Sequence, residues 1–149
     1  MRDEIWKDIQ SVPQMMASSL GRVRLKPYSK AMPNGIGIRH YNPKPRFGIE
    51  QKCASGRLGS PKRRIIYITG LKKCFNVARL VCEAFHGPAP EGKPIVMHLD
   101  ENPSNNVPEN LRWGNQRENL SMPKAVAAFK ARTGDKSPTI IGKKRRQSA

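Results

Sequence analysis

Residues 95–122 combine two short apolar segments, a polar loop and a capped helix, and this order limits the possible folds more than any other part of the chain. The segments Ile95 to Leu99 and Leu111 to Trp113 are rich in residue types that favour strands. Asp100 to Pro108, between them, is rich in Asn and Pro, as turns are. Asn115 is a suitable N-cap for a helix through Leu120. The pattern predicts strand, loop, strand, helix.

A second strand pair and a longer helix are predicted just before this unit. Arg64 to Thr69 reads as a strand, and Gly70 to Lys73 as the turn that returns the chain through residues 74–77. Apolar residues then recur at helical spacing, at Val77, Leu80, Val81, Ala84 and Phe85. This helix should end near Gly87-Pro88.

The N-terminal part predicts a small β-rich module. Residues 19–23 read as a turn into a strand, and Asn34-Gly35 as a tight turn. Residues 43–61 are rich in Pro, Gly and Lys, which predicts a loop. The expected fold is therefore α+β, with an N-terminal module at 1–42, a basic linker at 43–63, a strand-loop-strand-helix domain at 64–122 and a basic tail at 123–149.

The chain carries 28 Lys and Arg against 11 Asp and Glu, a net charge of +17, and its distribution is uneven. Residues 21–75 hold fourteen basic residues and one acid, and residues 124–149 hold eight and one. Residues 76–123 hold four basic residues and six acids, a net of 4 − 6 = −2. Basic segments around a near-neutral unit indicate a polyanionic partner, above all nucleic acid.

The cysteine spacing and the hydropathy of the sequence argue against a zinc-binding, a membrane-spanning or a secreted protein. Cys53, Cys74 and Cys82 form no spacing typical of a zinc site, so free thiols in a reducing compartment are expected. The sequence contains no apolar run of about 18 residues, and its first residues do not resemble a secretory signal. We expect a cytoplasmic protein that does not contact a membrane.

The string from Ile95 to Asn119 resembles the HNH endonucleases of the phage and intron homing branch. The matching motifs are His98-x-Asp100, Asn105-Asn106, Pro108-Glu109-Asn110-Leu111, Arg112-Trp113 and Glu118-Asn119, preceded by the helix Arg79 to Phe85. Residues 6–9 and 18–23 resemble the NUMOD-like module often fused to that domain. The resemblance implies a ββα-metal unit that hydrolyses phosphodiester bonds in double-stranded DNA.

The resemblance also implies roles for individual residues. His98 is the general base, Asn119 is a metal ligand, and Asn110 fixes the loop and so orients His98. Asp100 has two open roles, a place in the metal shell if strand geometry continues past Leu99, or a hydrogen bond to the loop backbone. The expected cofactor is a divalent metal, Mg²⁺ or Mn²⁺, with no small-molecule cofactor, and the expected state is a monomer.

Two positions depart from the family pattern. Met97 stands where many relatives have an Asp or Asn metal ligand, and Ala78 stands where many have a His. Three functions stay open: a metal-dependent DNA endonuclease, a degenerate HNH protein that binds DNA without cutting it, and an RNA-associated basic protein.

The charge pattern also gives candidate DNA contacts. Phosphate attraction is expected from basic residues in the N-terminal module, the hairpin and the tail. These are Arg22, Arg24, Arg39, Arg46, Arg63, Arg64, Lys72, Lys73, Lys143, Lys144, Arg145 and Arg146.

Overall fold

The computed structural model describes residues 3–51 and 62–133, which form ten short strands and three helices. The N-terminal sheet has the antiparallel order β1 (Trp6–Asp8), β2 (Met15–Ser18), β3 (Val23–Leu25). A separate hairpin joins β4 (Tyr28–Ala31) to β5 (Ile38–Tyr41). A third antiparallel sheet has the order β6 (Ile49–Gln51), β7 (Arg63–Ile68), β8 (Lys73–Asn76).

Helix α1 (Val77–His86) begins and ends close to where its sequence predicts. The side chain of Asn76 caps it by accepting a hydrogen bond from the backbone N–H of Arg79. It ends at Gly87, whose φ of +79° favours a residue without Cβ. The apolar residues of one face are buried, which places α1 at the centre of the fold.

The strand-loop-strand-helix prediction is confirmed by the C-terminal half of the described chain. Strands β9 (Ile95–His98) and β10 (Leu111–Gly114) pair antiparallel, with His98 opposite Leu111. Helix α2 (Gln116–Leu120) follows, and Asn115 and Glu118 form a reciprocal capping box at its start. Helix α3 (Pro123–Thr133) continues from it.

One hydrophobic core joins the N-terminal sheet to the later elements. Ile9, Met15 and Val23 are fully buried in the same cluster as Val81 and Leu111. A polar contact strengthens the join, because the carboxylate of Glu83 on α1 accepts hydrogen bonds from the N–H and hydroxyl of Ser11. The core therefore runs across the boundary predicted at residue 42.

The structure differs from the sequence prediction in the N-terminal half. Strands β1 and β2 were not predicted, and residues 49–51, inside the predicted linker, form β6 against β7. All three residues of β6 are exposed, so no apolar pattern marks this edge strand. Among the described residues, no helix has the length and apolar character needed to cross a bilayer.

Candidate active site

His98 is the last residue of β9, and its neighbour Met97 occupies the opposite face. Successive side chains on a strand alternate between faces. Met97 is 1% exposed, and its Sδ occupies the space where a Cβ of residue 114 would lie, so the thioether packs directly against Gly114. His98 is half-buried and lines a cleft. The chain thus presents the imidazole to solvent and keeps the thioether in the interior.

The ring of His98 is held by Asn106. Nε2 of His98 lies 2.9 Å from Oδ1 of Asn106, which is only 4% exposed. Because an amide oxygen only accepts hydrogen bonds, Nε2 carries the hydrogen in this pair. Nδ1 then keeps its lone pair and is able to accept a proton. The sequence prediction had Asn110 orient His98 by fixing the loop, and it listed Asn106 only as part of the Asn105-Asn106 motif.

Asn110 makes three hydrogen bonds within the loop between β9 and β10. Its Oδ1 accepts a hydrogen bond from the N–H of Asp100 at 2.9 Å, and its Nδ2 donates to Oδ1 of Asp100 and to the carbonyl of Asn105, each at 2.8 Å. Asn110 is 9% exposed. It therefore stabilises the loop on which Asn106 stands, and it acts on His98 only through that loop.

The carboxylate of Asp100 turns into this loop. It accepts hydrogen bonds from the N–H of Asn102 and from the side chains of Asn105 and Asn110. Partial burial alone raises the pKa of Asp100, but these hydrogen bonds outweigh it and hold the pKa below its usual value. Asp100 does not line the His98 cleft. Sequence analysis left two roles for Asp100, a place in the metal shell or a hydrogen bond to the loop backbone, and these contacts are of the second kind.

The cleft beside His98 has a volume of about 720 Å³ and brings together residues from six elements. Asn119 of α2 lines it, so the structure places the predicted base and the predicted ligand on the same cleft. Gln116 and Glu101 also line it, and Oε1 of Glu101 accepts a hydrogen bond from the N–H of Lys124. Four basic side chains complete the lining: Arg63, Arg64, Arg79 and Lys124. A second carboxylate, Glu50, lies 3.6 Å from the guanidinium of Arg64, and the remaining excess of cations still attracts anions.

Arg79 is a cleft residue that the list of predicted DNA contacts omitted. It is exposed, lies over the ring of Trp113 at 5.2 Å, and donates to the carbonyl of Pro94 at 3.0 Å. The feature that could have identified Arg79 is its position on the first turn of α1, next to Ala78, which is buried. Asn106 stood in the Asn105-Asn106 motif, but that motif did not indicate which of the two asparagines contacts His98.

The predicted DNA contacts lie in different surroundings. Arg63 and Arg64 line the cleft, and Arg64 also donates to the carbonyl of Ser104 at 3.2 Å. Arg22 forms an ion pair with Glu4, and this hydrogen bond lowers the pKa of Glu4. Arg24 packs over Trp6 at 4.3 Å. Four others are exposed away from His98: Arg39, Arg46, Lys72 and Lys73. Residues 143–146 lie outside the described residues.

The other two histidines have structural partners. Nε2 of His86 lies 2.8 Å from the carbonyl oxygen of Pro108, which ties α1 to the segment before β10. Nδ1 of His40 lies 2.7 Å from Oγ of Ser29 across the β4–β5 hairpin. A second cleft, of about 770 Å³, is lined by no His, Asp or Glu of the described chain. Of these two clefts, the one beside His98 is the one lined by a histidine and a carboxylate.

Comparison with known families decides what this strand-loop-strand-helix unit resembles. Residues 76–121 match the HNH endonuclease family. This HNH segment contains α1, β9, β10 and α2, and it includes His98, Asn106, Asn110 and Asn119. Among solved structures, the chain is similar to one described as "DNA binding and cleavage by the HNH homing endonuclease I-HmuI". The identity is 26%, the match covers 86% of this chain and 67% of that one, and the TM-score is 0.46. Comparison with curated protein sequences gave no match.

HNH endonucleases generally use divalent metals, and the cleft offers few side-chain donors to such an ion. Within residues 3–51 and 62–133, no three His, Cys, Asp or Glu side chains are close enough to share a metal ion. Met97 offers no hard oxygen ligand. The amide oxygens of Asn119 and Gln116 and the Glu101 carboxylate are the available donors. Such a set suits Mg²⁺, which keeps several waters and takes further ligands from a phosphate.

Proposed function

We propose that the protein is a metal-dependent DNA endonuclease of the HNH type, with His98 as the general base. The observation that carries the proposal is the Asn106–His98 hydrogen bond at the edge of a cationic cleft. The cleft holds an imidazole with an available Nδ1 and also the charges that a phosphodiester needs.

The cationic side chains bind and orient the substrate. Arg63, Arg79 and Lys124 attract the phosphates of a duplex and hold one of them beside His98. Arg64 is fixed by its bond to the carbonyl of Ser104, so it presents its guanidinium with little loss of rotamer freedom. This attraction is independent of sequence and weakens with salt.

His98 takes the proton of the attacking water on Nδ1. Asn106 stabilises the imidazolium that forms, because its Oδ1 accepts the Nε2 hydrogen in both protonation states. Asn119 and its neighbours on the cleft wall would hold the divalent metal, Mg²⁺ or Mn²⁺. When bound, the metal supplies charge neutralisation at the phosphate and the leaving oxygen.

A second function, DNA binding without cleavage, is favoured by Met97. The residue before His98 is an interior thioether, so this cleft has one oxygen ligand fewer than many HNH relatives offer. The two functions share the same DNA-binding surface and differ only in the hydrolytic step.

A plasmid-nicking assay separates them. We expect nicking of supercoiled DNA with Mg²⁺ or Mn²⁺ and none with EDTA. His98→Ala should lower the rate by about 10²–10⁴-fold, the usual range for loss of a general base. His40→Ala is the matched control, since His40 also hydrogen-bonds one side chain but lies away from the cleft.

Other outcomes would count against the proposal. Duplex binding without nicking in either metal favours the DNA-binding function. Nicking that survives His98→Ala contradicts the assigned base. Competition in which structured RNA displaces duplex DNA points to the RNA-associated alternative.

A further inference from the structure

The turn between β2 and β3 packs directly on the loop that holds His98. Gly21, at the end of this turn, is buried and has a φ of +73°. A Cβ at this position would lie 2.8 Å from both the carbonyl carbon and the carbonyl oxygen of Asn106, and 3.2 Å from the backbone N of Val107. The contact is backbone against backbone, and only glycine permits it.

The turn is a rigid support. The Ser18 side chain is fully buried, and its Oγ accepts hydrogen bonds from the N–H groups of Leu20 and Arg22. The N–H of Gly21 donates to the carbonyl of Ser18 at 3.0 Å. The ion pair between Arg22 and Glu4 holds the far side of the turn. Residues 18–22 are therefore fixed on several sides.

Asn106 lies between this turn and the imidazole. Its backbone contacts Gly21, and its side chain accepts the hydrogen bond from His98. Asn110 and Asp100 fix the other part of the loop, around residues 100–105. Asn110 also bonds the carbonyls of Asn105 and Val107, so Gly21, 85 positions earlier in the chain, supports the opposite side of Asn106.

We propose that Gly21 is a positioning residue of the candidate active site. By packing against the backbone of Asn106, it keeps His98 in the tautomer that carries its hydrogen on Nε2. This inference rests on the proposed function of His98. It means that the N-terminal module does more than bind DNA, because it also sets which ring nitrogen is free to take a proton. Movement of the turn by a few tenths of an ångström is transmitted to the Asn106–His98 bond.

The test compares two glycine variants in the full-length chain. Gly21→Ala introduces a Cβ against Asn106. Gly35→Ala is the matched control, since its φ of +72° carries the same backbone cost and nothing lies within 4 Å of its Cβ. The readout is the tautomer of His98, measured from its ring ¹⁵N chemical shifts, with the signals assigned through His98→Ala.

We expect His98 in the wild type and in Gly35→Ala to be in the Nε2–H form at a pH where the ring is neutral. Gly21→Ala should give a mixture of the two tautomers. In the nicking assay it should lower kcat by about 100-fold, as small misplacements of a catalytic group do, while the Kd for duplex DNA stays the same. Wild-type ring shifts in a folded Gly21→Ala protein would overturn the inference.

If Gly21→Ala does not fold, Glu4→Gln provides the second test of the inference. This substitution removes the charge partner of Arg22 at the half-exposed edge of the turn. It should shift the tautomer ratio in the same direction but by less, and an unchanged ratio contradicts the inference. The ¹⁵N measurement does not require DNA cleavage. A protein that does not nick DNA, but whose His98 tautomer changes when the Gly21 turn is altered, would refute the proposed function and support this inference.

Discussion

Replacement of Asn110 by Ala tests how the loop between β9 and β10 is held. The wild-type side chain is 9% exposed and makes three hydrogen bonds, two with Asp100 and one with the carbonyl of Asn105. Each buried hydrogen bond contributes about 1 kcal/mol net, so the free energy of unfolding should fall by about 3 kcal/mol. For a chain of this size that lowers Tm by roughly 6–12 °C.

Thermal unfolding followed by circular dichroism measures this loss. The control is Asn102→Ala, which removes one exposed hydrogen bond to the N–H of Ser104, and its cost should stay within about 0.5 kcal/mol. Equal Tm values for the two variants would refute the assignment of Asn110 as the residue that holds the loop.

The difference between wild type and Asn110→Ala should also depend on pH. Asn110 is one of the hydrogen-bond donors that hold the folded pKa of Asp100 below its usual value of 3.8. A lowered folded pKa gives stability that is present above the unfolded pKa and is lost as the pH falls through the folded pKa. The Tm difference should therefore be largest near neutral pH and shrink as the pH is lowered below about 4. A difference that grows at acid pH would contradict this reasoning.

Two further predictions concern the cysteines and the tail. Burial raises the pKa of Cys82 to about 12, whereas Cys74 is exposed, so Ellman's reagent at pH 8 should modify Cys74 in the folded protein and Cys82 only after unfolding. Peptide mass mapping checks this, and rapid labelling of Cys82 in the folded state contradicts it. Deletion of residues 143–149 removes four basic residues and should reduce the slope of log K against log salt by up to about 3.6. An unchanged slope in filter binding argues against phosphate contacts by the tail.

Local chemistry was enough to predict the elements of the HNH segment. Helix α1 follows from apolar spacing between Asn76 and Gly87, and α2 follows from the capping residues Asn115 and Glu118. The loop between β9 and β10 was predicted from its Asn and Pro content. In each case the signal lies within a few residues of the structure it specifies.

Contacts between distant parts of the chain could not be predicted in this way. Gly21 packs against the backbone of Asn106, and no pattern around residue 106 predicts that contact. The ion pair between Arg22, a predicted phosphate contact, and Glu4 was likewise not predicted. Short strands such as β1 and β6 have too few residues to show a period.

The core shared by the N-terminal sheet and α1 restricts how such a protein exchanges parts during evolution. If residues 1–42 were replaced by an unrelated DNA-binding module, the apolar face of α1 would be open to water and Glu83 would lose Ser11. A recombinant protein with a new N-terminal segment must therefore keep an apolar surface that packs on α1 and a turn that fits against residue 106. The hairpin β4–β5 contributes no residue to that core, so its sequence is free to diverge.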